Sequence, residues 1–158
     1  MSDSDQERTK PLNASLGFLV NGLARIMRIA LEERLREVEL TPTSWAALMA
    51  LSDRDQVSQT MLGREIYLDA ATTTRTIDFL TARELVERQK DDNDRRVQII
   101  GITELGSRVA AETSHIGDMV NADFTACLTP EERALVESLM RRMLDCQNEK
   151  SGDNNNDK

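Results

Sequence analysis

Residues 58–102 read SQTMLGREIYLDAATTTRTIDFLTARELVERQKDDNDRRVQIIGI, and this stretch decides the fold of the chain. Its first half places apolar residues three or four positions apart, which is the spacing of helices with one buried face. Ser58 and Asp69 precede two such segments, and both residue types are common helix N-caps. We therefore expect two short helices in succession, the second from Ala70 to about Arg83. The first is expected to bury Met61, Leu62 and Ile66.

The second half of the stretch has the pattern of a β-hairpin. Beyond Glu84 the apolar period falls to about two, which predicts strands over residues 86–90 and 96–102. The polar run 91–95 between them predicts a turn with a charged tip. Two short helices followed by a hairpin are the elements of a winged helix-turn-helix. In that motif the second helix enters the major groove of DNA, and the hairpin reaches an adjacent minor groove.

Longer helices are expected on both sides of this motif. Apolar residues recur every three or four positions over residues 14–39 and after Thr103 and Thr129, so these segments predict amphipathic helices. Thr41 and Thr129 are each followed by Pro, and an N-cap residue before Pro is a common helix start. The fold class is therefore mainly α-helical with a small β-hairpin wing.

The composition restricts the class of protein further. The chain has 158 residues, of which 39% are hydrophobic and 30% charged, and this suits one domain with a hydrophobic core. No apolar run is long enough to span a membrane, and the polar start is unlike a secretory signal. We expect a cytoplasmic protein with no membrane anchor, a flexible segment at 1–13 and a disordered tail at 148–158.

The net charge of −8 argues against a protein that coats nucleic acid non-specifically. Residues 109–158 contain five basic and ten acidic residues, so most of the excess negative charge lies in the last third. The middle of the chain is nearly neutral and contains enough basic residues for a local basic face. These are Arg75, Arg83, Arg88, Lys90, Arg95 and Arg96.

Five motifs resemble the MarR family of bacterial transcription regulators. They occur in the family's order and spacing, and the resemblance extends from about Leu16 to Leu144. The motifs are Leu40-Thr41, Leu68 to Arg75 with Asp78 and Leu80, Leu85 to Arg88, Asp91 to Arg96, and Ile102 to Gly106.

The resemblance implies a homodimer. Residues 14–40 and 103–147 would form a helical dimerisation module, and residues 41–102 a winged helix-turn-helix DNA-binding domain. The chain departs from the family at Glu84, where members usually have Gly before the Leu85 motif. If this position is left-handed, Glu84 costs roughly 1 kcal/mol.

The second short helix contains the candidate DNA-reading residues. Its inward positions are those of Thr73, Thr76, Ile77 and Leu80. Threonine methyl groups can contact thymine methyls, threonine hydroxyls can bind phosphate or base edges, and arginine can bind guanine through two hydrogen bonds. We expect contacts to double-stranded DNA from Ala71, Thr72, Thr74 and Arg75, and from Ser58 before them. The alternative is an ordinary solvated helix face.

The resemblance assigns minor-groove reading to Arg96, which Asp94 would brace, and Arg95 is a second candidate. The negative potential of a minor groove attracts arginine side chains. The alternative is a solvated run of charges in which the two arginines pair with the neighbouring acidic residues. The resemblance also implies a small effector, often an aromatic acid or phenolic compound. This effector would bind near Trp45 and Met27 and release a repressor from a pseudo-palindromic operator.

Two other functions stay open. A winged-helix adaptor that binds protein instead of DNA would suit the acidic balance of the chain. A thiol-redox switch would use Cys127 or Cys146, although neither has Lys or Arg beside it to activate the thiol, and small buried residues are the preferred interpretation. The chain lacks the motifs of phosphate loops, nucleophile elbows and zinc proteases, and His115 is its only histidine. We therefore expect neither an enzyme nor a cofactor or metal.

Overall fold

The computed structural model describes residues 15–54 and 56–153, so the segment expected to be flexible, 1–13, lies outside the described residues. The fold is mainly helical with a small sheet, as predicted. In chain order the elements are α1 (Leu16–Leu35), a 3-10 turn (Arg36–Val38), α2 (Pro42–Ser52), β1 (Gln56–Ser58), α3 (Gln59–Glu65), α4 (Ala70–Ala82), β2 (Val86–Lys90), β3 (Gln98–Ile102), α5 (Glu104–Phe124) and α6 (Pro130–Asp153).

The two short helices, α3 and α4, form at the predicted residues. The Ser58 hydroxyl accepts a hydrogen bond from the Met61 amide at 3.2 Å, and Asp69 Oδ1 accepts one from the Thr72 amide at 2.7 Å. Both predicted N-caps are therefore confirmed. The buried side of α4 is also the predicted one, with Thr73, Thr76, Ile77 and Leu80.

The buried side of α3 differs from the prediction at one residue. Leu62 is buried and Ile66 is half-buried, whereas Met61 is 57% exposed, so its predicted inward position is wrong. Gly63 lies on the buried side instead, because a Cβ there would be 2.5 Å from Thr73 Oγ1 of α4. Successive residues of a helix point about 100° apart, so a seven-residue helix that buries Leu62 and Gly63 turns Met61 toward solvent.

The wing belongs to a three-stranded antiparallel sheet of order β1–β3–β2. β2 spans the predicted residues, but β1, at Gln56–Ser58, is a strand that the sequence pattern does not predict. Only Val57 is buried in this three-residue strand, so no alternating pattern reveals it. β3 begins at Gln98 and not at residue 96, because the Val97 amide donates to the Asp94 carbonyl and extends the turn.

Glu84 has a φ of 59°, so the chain does leave α4 through a left-handed residue. The Glu84 amide donates to the Thr81 carbonyl, which ends the helix. The Thr103 hydroxyl donates to the Glu84 carbonyl at 2.7 Å, and this bond joins the turn to the start of α5. The presence of Glu84 instead of the family's usual glycine therefore changes the strain at this turn and leaves its geometry intact.

Two helix ends differ from the predictions. The sequence predicts one helix up to residue 39, but α1 ends at Leu35 and a 3-10 turn follows before Glu39 adopts a φ of 53°. α6 continues to Asp153, so residues 148–153 are helical where the sequence predicts disorder. Extending an existing helix costs little per residue, and no proline interrupts this segment. Residues 154–158 lie outside the described part of the chain.

The chain divides into two compact units between Val120 and Asn121, within α5. The first unit holds the hydrophobic core, in which the fully buried apolar residues include Leu35, Leu48, Leu51, Leu62, Ile77, Leu80 and Ile100. In the second unit, α6 leaves large apolar side chains exposed: Leu135, Val136, Leu139, Met140, Met143 and Leu144. No helix among the described residues is long and apolar enough to cross a membrane.

Candidate nucleic-acid interface

The outer side of α4 presents the residues that the sequence predicts to read DNA. Ala71, Thr74 and Arg75 are exposed, and Thr72 is half-buried. Asp69 Oδ2 accepts a hydrogen bond from the Thr72 hydroxyl at 2.9 Å, and the same hydroxyl accepts one from Arg75 Nη2 at 3.2 Å. This chain of bonds holds the Arg75 side chain along the helix and leaves most of its donors unused.

Asp69 is ionised more readily than an ordinary aspartate. Hydrogen bonds from the Thr72 amide and hydroxyl lower the pKa of its carboxyl group, and the Arg75 charge adds a smaller effect in the same direction. A carboxylate at a helix N-terminus also interacts favourably with the helix dipole. The N-cap of α4 therefore stays charged at neutral pH and keeps its hydrogen bonds to Thr72.

Thr74 joins α4 to the preceding helix. Its hydroxyl donates to the Ala70 carbonyl at 2.9 Å and accepts a hydrogen bond from Gln59 Nε2 at 2.9 Å. Gln59 is the first residue of α3, directly after the cap residue Ser58, whose own side chain is half-buried. The sequence gives no sign of the Gln59 contact, because it spans 15 positions and depends on how the two helices pack.

Arg88 of β2 joins the wing to α4. Its Nη2 lies 2.6 Å from Asp78 Oδ1 and 3.4 Å from the Thr74 carbonyl oxygen. Asp78 lies on the outer side of α4 and is exposed. The sequence places Arg88 among the basic residues of this region but does not reveal this pairing. The pair sets the position of the wing strand relative to the helix.

The tip of the wing has the predicted brace. Asp94 Oδ1 accepts hydrogen bonds from the Arg96 amide at 3.0 Å and from Arg96 Nε at 3.2 Å, and the Arg96 side chain is 93% exposed. Asp91 Oδ1 accepts from the amides of Asn93 and Asp94 at 2.8 and 2.9 Å, which fixes the turn. Asp94 thus binds only one edge of the guanidinium and leaves both terminal nitrogens to solvent. Arg95 is exposed as well.

The two residues predicted to line an effector pocket lie in the first unit. Trp45 is half-buried on α2, and its ring packs against α5 so closely that a Cβ at Gly117 would lie 2.8 Å from Trp45 Cη2. The indole Nε1 is buried, and no acceptor for it lies among the described residues. Met27 is half-buried on α1.

The remaining candidates lie apart from α4 and the wing in the sequence. Cys127 and Cys146 are both exposed, so the interpretation of them as small buried residues is wrong for the single chain. His115 is exposed on α5. Within the described ranges, no three His, Cys, Asp or Glu side chains are grouped so that they could hold a metal ion.

Residues 40–97 match the family model described as MarR family. A probable transcriptional regulator from Pseudomonas aeruginosa is 26% identical, with a TM-score of 0.78, over 84% of this chain and 99% of that one. A mutant MarR from E. coli in complex with operator DNA is 23% identical, with a TM-score of 0.77, over 86% and 99%. BpsR of Bordetella bronchiseptica, whose DNA binding is regulated by 6-hydroxynicotinic acid, is 23% identical, with a TM-score of 0.81, over 87% and 98%. At 23% identity, the last two comparisons show that this chain shares the fold of those proteins.

Proposed function

We propose that the chain is a sequence-specific DNA-binding transcription regulator of the MarR family, acting through residues 40–97, which match that family's model. One observation carries the proposal: the exposed side of α4 and the exposed Arg96 of the wing are joined by the Arg88–Asp78 pair into one surface. α4 would read base edges in a major groove, and Arg96 would enter the adjacent minor groove. The operator-bound E. coli protein has the same fold.

The regulator would act as a homodimer on a pseudo-palindromic operator. α1 exposes Leu16, Phe18, Leu19, Leu23 and Ile26, and α6 exposes its own apolar residues, so each helix has a surface that a second copy of the chain would remove from water. The two copies of α4 would then read half-sites about 34 Å apart, one turn of DNA. Light scattering should give about twice 17.8 kDa. A monomer at micromolar concentration would contradict the dimer.

A small aromatic or phenolic acid would release this repressor from its operator. The buried indole N–H of Trp45 supports a pocket there, because an unpaired buried donor is costly and a ligand carboxylate could accept its hydrogen bond. Met27 on α1 would line the same pocket. A ligand that binds the DNA-free state better must weaken DNA binding, and DNA must weaken ligand binding equally. Titration with salicylate should change Trp45 fluorescence and lower operator affinity in parallel.

A thiol switch is the second candidate mechanism of release, because Cys127 and Cys146 are exposed and exposure permits oxidation. Mild peroxide would then release DNA from the natural chain and not from the variant in which both cysteines are replaced by serine. If peroxide leaves operator affinity unchanged, the thiol switch is excluded.

Selection from a random double-stranded DNA library tests the proposed function. Sequence-specific binding should enrich a pseudo-palindrome whose affinity falls steeply as salt rises, because protein contacts to phosphates release counterions. A winged-helix adaptor that binds protein would enrich no sequence.

A further inference from the structure

Hydrogen bonds within the protein limit what Thr72 can offer to DNA. A threonine hydroxyl has one hydrogen to donate and two lone pairs to accept with. The Thr72 hydroxyl donates its hydrogen to Asp69 Oδ2 and accepts a hydrogen bond from Arg75 Nη2. A hydrogen bond to an ionised carboxylate is stronger than one between neutral groups, so this hydrogen is firmly committed.

Thr74 has the same limit for a different reason. Its hydroxyl donates to the Ala70 carbonyl one turn earlier and accepts from Gln59 Nε2. Since its only hydrogen points back to the helix, the Gln59 amide must approach with its nitrogen. Neither threonine therefore has a hydroxyl hydrogen left for DNA.

Because both hydroxyl hydrogens are used within the protein, several of the contacts that threonine usually makes with DNA are excluded. Phosphate oxygens, guanine O6 and N7, and thymine O4 are all acceptors and require a donor from the protein. Arg75 has unused N–H donors, so it can supply them. The threonines keep a methyl group and one lone pair each.

We propose that Thr72 and Thr74 read DNA through their methyl groups, by apolar contact with thymine methyls, while Arg75 supplies the hydrogen-bond donors to guanine. This inference rests on the proposed function and specifies which chemical groups of the operator the exposed side of α4 recognises. Thr74 is exposed, which leaves its methyl group accessible to a base. The donor and apolar roles are thus divided between neighbouring residues of one helix.

Two matched variants separate the methyl group from the hydroxyl. Thr74→Val keeps a methyl group at this position and removes the hydroxyl, whereas Thr74→Ser keeps the hydroxyl and removes the methyl group. Each is tested on DNA selected from the random library, in which every thymine is replaced in turn by uracil, which lacks the methyl group. The measured quantity is the ratio of the affinities for the thymine and uracil forms, which is independent of any general loss of affinity.

For the natural chain, replacing at least one thymine by uracil should lower the affinity by a factor of about four per half-site. This is the effect expected when one methyl group is no longer buried. Thr74→Val should keep that ratio, and Thr74→Ser should bring it close to one, because the protein methyl that contacts the base is then gone. Thermal unfolding of each variant shows that it is folded.

Three results would overturn the inference. The first is that no uracil replacement changes the affinity. The second is that Thr74→Ser keeps the full thymine dependence. The third concerns adenine, whose amino group is removed when the base is replaced by purine. If this replacement weakens binding by the natural chain and not by Thr74→Val, the contact belongs to the hydroxyl lone pair and not to the methyl group. Failure to enrich any DNA would overturn the proposed function itself, and this inference with it.

Discussion

Replacing Glu84 by glycine should stabilise the protein. Glu84 leaves α4 with a φ of 59°, a conformation that is unfavourable for residues with a Cβ and easy for glycine. Its backbone bonds to Thr81 and Thr103 are compatible with glycine, and its side chain is exposed and makes no hydrogen bond within the described part of the chain. The substitution therefore removes strain without removing a contact.

The expected gain is the difference between two opposing effects. A left-handed conformation costs about 1–2 kcal/mol for a residue with a Cβ, whereas glycine loses about 0.5–1 kcal/mol more backbone entropy on folding than alanine. The net gain for Glu84→Gly should be about 0.5–1 kcal/mol. In a chain of this length that corresponds to an increase in Tm of about 1–4 °C.

Thermal unfolding followed by circular dichroism at fixed protein concentration measures this gain. Glu84→Ala is the matched control, because it removes the same side chain but keeps the Cβ, and it should show no gain. Glu39→Gly should gain less, although its φ is 53°, because it also removes a 3.0 Å ion pair with Arg83, and exposed pairs contribute about 0.2–1 kcal/mol. If Glu84→Gly is no more stable than Glu84→Ala, the argument from strain is wrong.

Three further predictions follow from individual contacts. In Gly117→Ala the new methyl group should overlap the Trp45 ring, lower the free energy of unfolding by about 1–3 kcal/mol and shift the tryptophan emission. Unchanged emission would show that the ring moves away freely. Asp69→Ala should lower the Tm at neutral pH. Because the pKa of Asp69 is lowered in the folded state, the stabilisation by its charge is present above the unfolded-state pKa of about 3.8 and is lost as the pH falls through the folded-state pKa, so the Tm difference should shrink in acid. Arg88→Ala and Asp78→Ala should each weaken operator binding, and the double variant should lose less than the sum of the two, since both changes break one ion pair; additive losses would contradict a shared role.

Capping residues explain why most of the fold is predictable from the sequence. Ser58, Thr41, Asp69 and Thr129 each accept a hydrogen bond from an amide three residues ahead, so the starts of four helices depend on local contacts alone. β1 and the buried side of α3 depend instead on partners elsewhere in the chain, since β1 pairs with β3 and Gly63 of α3 packs against Thr73 of α4. For this reason the periodicity of the sequence misplaces Met61 and does not reveal β1.

In the candidate site, too, the local contacts are predictable from the sequence and the contacts between elements are not. The brace between Asp94 and Arg96 spans two residues, so a resemblance of short motifs is sufficient to predict it. The contact between Gln59 and Thr74 and the pair of Arg88 and Asp78 join different elements, and their sequence separations carry no periodic signal. These two contacts specify the hydrogen bonding of the α4 surface and the position of the wing.

The affinity of Arg96→Ala for the selected operator tests the central claim most directly. Arg28→Ala is the matched control, because Arg28 is also exposed and also pairs with one carboxylate, Glu32, but lies on α1. Fluorescence anisotropy with labelled operator should show a loss of about 1–3 kcal/mol per subunit for Arg96→Ala, no loss for Arg28→Ala, and an unchanged Tm for both. Equal operator affinity of Arg96→Ala and the natural chain would show that the wing does not contact DNA.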